Sequence, residues 1–187
     1  MGQVSAGWAR LTEEQRLAWW RLARQERTQK RPGRKPRALR GQELYVKINR
    51  VRALLGLELA SWPPPKPAFE ANPVRELRIT AGGARLALTG CGRPAKDLMV
   101  FAQPPQPASR TCGKSGYAFI GLLPAPKNGE SNITQLYLQK LKEWRRLGKF
   151  RRVRLAGSRI CIRTWPQSDG WEDRSQTWLS TAVAPER

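Results

Sequence analysis

Trp62-Pro63-Pro64-Pro65-Lys66-Pro67 divides the chain into two patterns. A proline run stays extended and offers no amide donor to a helix or a sheet, so it reads as a stiff connector. Before it, apolar residues recur at helical spacing. After it, they fall into short β-like runs between glycines and prolines. The expected organisation is therefore residues 1–60, a connector over 61–73, and residues 74–187.

Upstream, Thr12-Glu13-Glu14-Gln15 fits a capping box, with acids in the first turn where the helix dipole favours them. Leu11, Ala18 and Leu22, with Trp8, Trp19 and Ala23 beside them, predict a helix over 12–29. Pro32, Gly33 and Pro36 stop it. Leu44, Ile48, Val51 and Leu55 predict a second helix over 41–55, closed by Gly56. Lys47, Arg50 and Arg52 fall off that stripe and are expected to face water or a partner. The two helices are expected to pack as a hairpin.

Downstream, Glu76–Thr80 and Arg85–Thr89 flank Ala81-Gly82-Gly83-Ala84 and read as a β-hairpin. Leu98–Ala102 and Tyr117–Leu123 are two further runs. Ser158–Trp165 and Gln176–Val183 form a last pair around Pro166-Gln167-Ser168-Asp169-Gly170. One helix interrupts the strands, over 132–147, with Ile133, Tyr137, Leu141 and Trp144 on its apolar face and Gly148 at its end. The expected fold class is α+β: an N-terminal helical hairpin, then an antiparallel β-sandwich with one inserted helix.

Charge points to the partner. Thirty-five Lys and Arg against 14 Asp and Glu leave a net +21 over 187 residues. A small domain is soluble at a net charge of roughly 2–8, so solubility alone does not require this excess. Nucleic acid is the commonest large intracellular polyanion, and each phosphate contact releases condensed cations. The excess is concentrated: residues 1–50 carry net +9 and residues 126–165 another +9, whereas the last 22 carry −2.

The first basic element is the loop after the first helix, with Lys30, Arg31, Arg34, Lys35, Arg37 and Arg40, followed by Lys47 and Arg50. Gly33-Arg34-Lys35-Pro36-Arg37 resembles part of an AT-hook, an extended peptide that lays arginines in a narrow minor groove. Pro32 before the glycine and Lys35 before the proline depart from that pattern. Minor-groove insertion, general phosphate binding and a solvated linker all remain open for it. The second element is Lys140, Lys142, Arg145, Arg146, Lys149, Arg151, Arg152 and Arg154, eight cations in fifteen residues opposed only by Glu143. With few aromatics between them, they fit backbone phosphates better than stacked bases.

Several short motifs carry a resemblance that spans most of the chain. They are Trp8-x-x-Leu11-Thr12-x-x-Gln15-x-x-x-Trp19, then Gly41…Asn49…Leu55-Gly56, the proline connector, Asn132-Ile133-Thr134…Tyr137, Gly157-x-x-Ile160-x-Ile162-Arg163 and Asp169-Gly170. Together they resemble small bacterial proteins that join an N-terminal helical segment to a fibronectin type III or immunoglobulin-like sandwich. Some such modules occur among phage-like and surface-assembly proteins. The resemblance implies a structural or binding role and carries no catalytic residues. The Lys and Arg load exceeds what architecture alone requires.

Catalytic readings are weak. The absence of histidine excludes a Ser-His-Asp triad, a Cys-His pair and imidazole metal sites. Gly113-Lys114-Ser115 lacks the first P-loop glycine, since Ala108 stands there, and a β-like run follows it. Asp169, Glu172 and Asp173 could hold Mg²⁺ for phosphodiester cleavage, but Asp169-Gly170 is also an ordinary turn. The chain is expected to be non-enzymatic, without cofactor or metal. Cys91, Cys112 and Cys161 have no C-x-x-C spacing and read as free thiols, buried or incidental. Trp19 and Trp144 read as core, Trp62 as packing the connector, and Trp165, Trp171 and Trp178 as a cluster near the last hairpin.

With no secretory signal and no apolar span, the expected location is cytoplasmic, without membrane contact. The expected function is nucleic-acid binding, to DNA or RNA, through phosphates and with little sequence readout. The alternative is a structural subunit of a homo-oligomer or larger assembly, phage-like or otherwise, one that coats or packages nucleic acid included.

Overall fold

A computed structural model describes residues 2–26, 37–80, 85–90, 98–123, 126, 128–148 and 155–184. The fold is α+β with antiparallel sheets. The chain divides into two compact units, Met1–Ala68 with Ser168–Glu172, and Phe69–Gln167 with Asp173–Arg187.

The first unit holds α1 (Gly2–Ala9), α2 (Glu13–Gln25), α3 (Gly41–Leu54) and the short β8 (Trp171–Glu172). Helix α1 was not anticipated: two glycines and a serine among its eight residues give little propensity and no clear apolar stripe. The capping box of α2 is formed, with Gln15 N–H donating to Thr12 Oγ1 at 3.2 Å and Thr12 N–H to Gln15 Oε1 at 2.8 Å. Helix α2 ends at Gln25, short of the expected 29, and residues 27–36 lie outside the described part.

Trp19, Ala23, Leu44, Tyr45, Ile48 and Val51 form the buried interior of this unit. The Trp19 indole N–H donates to Ser61 O at 2.8 Å, and its ring meets Tyr45 edge-on at 5.3 Å. Buried Asn49 answers both polar groups of Ala60, donating to its carbonyl at 3.1 Å and accepting its N–H at 2.7 Å. These bonds tie Ser61, at the start of the connector, to α2 and Ala60, just before it, to α3. Trp62, expected to pack the connector, is instead 52% exposed. Trp171 takes that role: it is buried, donates to Pro64 O at 3.1 Å and lies beneath the Lys66 ammonium.

The second unit contains β1 (Glu76–Ile79), β2 (Leu86–Thr89), β3 (Leu98–Ala102), β4 (Gln106–Pro107), β5 (Ala118–Leu122), β6 (Glu130–Asn132), α4 (Thr134–Arg146), β7 (Ser158–Ser168) and β9 (Trp178–Val183). A 3-10 turn spans Arg174–Gln176. One sheet has the order β1-β2-β6, all antiparallel. In the other, β7 pairs with β3 and β4 along one edge and with β9 along the opposite edge, and β5 lies beyond β3. The expected strands are present. Strands β4 and β6 were missed because two and three residues are too short to show an alternation.

One apolar core collects Leu77, Leu86, Leu88, Leu98, Val100, Ile160 and Ile162 from both sheets with Tyr137, Leu141 and Trp144 from α4. Ile160 and Ile162 of β7 and the i, i+4, i+7 face of α4 (Tyr137, Leu141, Trp144) are therefore buried in the same interior. Each large side chain fully buried there contributes roughly 1.5–3 kcal/mol.

Candidate nucleic-acid interface

The sequence-derived cations fall into three groups. Lys30, Arg31, Arg34 and Lys35, with Lys149, Arg151, Arg152 and Arg154, lie outside the described residues. Two more are neutralised. Arg37 makes a bidentate pair with Glu43 at 2.9 and 2.6 Å, and Lys140 meets Glu143 at 2.7 Å. The Arg37 bond, with the Arg40 amide, draws the Glu43 carboxyl down to about 2, and Glu43 in turn raises Arg37.

The remaining cations stand at the surface. Arg40 is exposed and caps α3 with its backbone N–H on Glu43 at 2.9 Å. Lys47 and Arg50, one turn apart on α3, are exposed. On α4, Lys142 and Arg146 are exposed and sit opposite the buried Tyr137, Leu141 and Trp144, with Arg145 on the flank. Among the described residues, Lys47, Arg50, Lys142 and Arg146 have no carboxylate within ion-pair distance.

Arg52, expected at the surface, is a correction. It is partly buried, donates to Glu58 O at 2.7 Å and forms an ion pair with Asp169. That pairing spends one carboxylate of the candidate acidic cluster. Asp173 accepts hydrogen bonds from Ser175 and Gln176, and the Ser175 hydroxyl contributes most to holding its carboxyl below the ordinary range. Among the described residues, no three carboxylate or thiol groups converge as a metal-ligand set.

The cysteine reading also changes. Cys112 and Cys161 are joined in a disulfide, with Cα atoms 5.9 Å apart. The spacing of 49 residues gave no sign of it. Cys161 faces the outer side of β7 between Arg159 and Arg163, which share that side because strand side chains alternate. All three hold the segment 108–117. Arg159 donates twice to Ala108 O, at 3.0 and 2.7 Å. Arg163 donates to Lys114 O at 3.0 Å and lies over the Tyr117 ring, 4.1 Å from its centroid. Gln103 adds bonds to the carbonyls of Gly113 and Ser115.

A third cationic group therefore exists that charge counting did not isolate: Arg110, Lys114, Arg159 and Arg163. The signal was an absence, since no acidic residue occurs from 98 to 129 or from 155 to 168.

Among the described residues, no helix is long and apolar enough to cross a membrane. Comparison with known protein families, curated proteins and solved structures finds no match.

Proposed function

We propose that the protein binds nucleic acid without catalysing a reaction, gripping backbone phosphates with little sequence preference. The observation that carries this reading is the unmatched exposed charge of Lys47 and Arg50 on α3 and of Lys142 and Arg146 on α4. Pairing every one of the 14 acids would still leave 35 − 14 = 21 cations over. Such a surface lowers its own Coulomb energy by taking up a polyanion.

The test is fluorescence anisotropy of the full chain with labelled duplex DNA and duplex RNA across a salt series. Binding should weaken along a straight line in log salt, by about 0.9 log units per phosphate contacted for each tenfold rise in salt on B-DNA. Affinity that stays flat from low to high salt defeats the reading.

The strand order supports an immunoglobulin or fibronectin type III arrangement for the second unit. With β1, β2, β3, β6, β7 and β9 taken as A, B, C, E, F and G, one sheet runs A-B-E and the other C-F-G, the order of such sandwiches. The buried faces of helices α2 and α3, Trp19 and Ala23 on one and Leu44, Ile48 and Val51 on the other, support the helical hairpin. The disulfide favours an oxidising environment over the cytoplasmic location expected from sequence. The structural-subunit alternative draws on β9, whose Leu179 and Val183 are 43% and 41% exposed. It requires a defined oligomer in light scattering without nucleic acid, and a monomer at all concentrations removes it.

A further inference from the structure

We infer that the outer face of the β5-β3-β7 sheet is a platform for single-stranded nucleic acid, with Phe119, Phe101 and Tyr117 stacking bases and the segment 108–117 receiving phosphates. This rests on the nucleic-acid reading and specifies its substrate class at a different surface from the helical cations.

Aromatic rings form a row across three strands. Phe119 on β5 meets Phe101 on β3 at 5.4 Å, and Phe101 stacks on Trp165 of β7 at 4.0 Å with planes 17° apart. Trp165 is buried and backs the row, whereas Phe101, Phe119 and Tyr117 are half-exposed. Half-exposed rings in one row are costly to leave in water and offer π-faces to any base.

The charged side chains within residues 98–123 and 155–168, the stretches that carry the row, are all cationic. Arg159 and Arg163 bond to carbonyl oxygens and lie against the Tyr117 ring, contacts that remove no charge. Arg110 and Lys114 are exposed on the segment those arginines hold. The carbonyls of Gly113, Lys114 and Ser115 bond to Gln103 and Arg163 on the sheet side. A trans peptide sets each N–H opposite the preceding carbonyl, so the amides of Lys114, Ser115 and Gly116 point away from the sheet, as anion donors. The disulfide and both arginines pre-order this segment, which lowers the entropy lost on binding. A duplex buries its base faces in stacking and cannot use the rings. A single strand uses rings and cations together.

The experiment measures anisotropy of the full chain with a labelled oligothymidylate of about 15 nucleotides and with a duplex of equal length. Phe119→Leu should weaken single-strand binding about tenfold while leaving duplex binding unchanged, and Phe119→Tyr, which keeps the π-face, should restore it. Circular dichroism verifies that both variants fold. The platform is refuted if folded Phe119→Leu binds the single strand like the parent, or if it loses both substrates equally. If neither oligonucleotide binds the parent, the broader nucleic-acid reading fails as well. If the duplex binds with salt dependence and the single strand does not, the platform alone fails.

Discussion

Cys161 is bonded to Cys112 midway between Arg159 and Arg163, so one covalent and two polar ties from alternate residues of a single strand hold the segment 108–117. The bond closes a loop of 49 residues. Chain-entropy reasoning gives such a closure about 4 kcal/mol at most, through the unfolded state, and native disulfides commonly deliver about 2–4. Cys112→Ala with Cys161→Ala should lower the urea midpoint accordingly, and reductant should lower the parent's midpoint while leaving the double variant's unchanged. An unshifted parent under reductant would rule the bond out, and tryptic mass mapping checks the pairing directly.

Gly170→Ala should destabilise the first unit. Gly170 has φ +91°, where an L side chain is strained. A Cβ there would also stand 2.7 Å from Ile48 Cγ2 and 2.8 Å from the Ile48 carbonyl. Backbone cannot yield as a side-chain tip can, so a loss of about 1–3 kcal/mol is expected in denaturant unfolding. Gly56→Ala shares the positive φ but has open space around it, and it should be milder.

Glu43 predicts an acid-dependent step. The Arg37 hydrogen bond holds its folded carboxyl down to about 2, below the ordinary value of 4.5. The pair with Arg37 therefore stabilises fully above the unfolded value and is lost as pH falls from there through the folded one. Both side chains are substantially exposed, at 55% and 38%, so the effect should stay under about 1 kcal/mol. Glu43→Gln should lower stability by a constant amount above about pH 4.5, remove the pH dependence between there and about 2, and match the parent below that. Thermal melts across that interval provide the measurement.

Cations with and without partners should behave differently. Lys142→Glu with Arg146→Glu should weaken duplex binding and shallow its salt slope, because both side chains are exposed and face no carboxylate among the described residues. Arg52→Gln should leave the slope intact and reduce stability, because it strands the Asp169 charge and the Glu58 carbonyl. Salt-titrated anisotropy paired with melting curves separates the two effects.

Much of the local structure was legible. Thr12 and Gln15 announced α2 because both partners of a capping box lie within one turn. The stripe through Leu44, Ile48 and Val51 announced α3, and those three side chains are buried. Helix α1 was hidden by its glycines, and β4 and β6 by their brevity. The candidate site was less legible. The order of residues along the chain shows where cations are, and says nothing of which carboxylate folds beside each one. Arg37 and Lys140 read as free phosphate ligands, yet each has a glutamate close at hand in sequence whose pairing depends on side-chain direction.

The sequence by itself determined the α+β content, the helical character upstream of Trp62 and the positive excess that no internal pairing can cancel. Those properties depend on composition and on periods of two and 3.6 residues, which are local. Only the tertiary structure decided which cations remain unmatched, that Asp169 answers Arg52 from 117 residues away, and that Phe101, Phe119, Tyr117 and Arg163 share one face. Those are long-range juxtapositions, set by strand register and by burial of a common core rather than by any spacing along the chain.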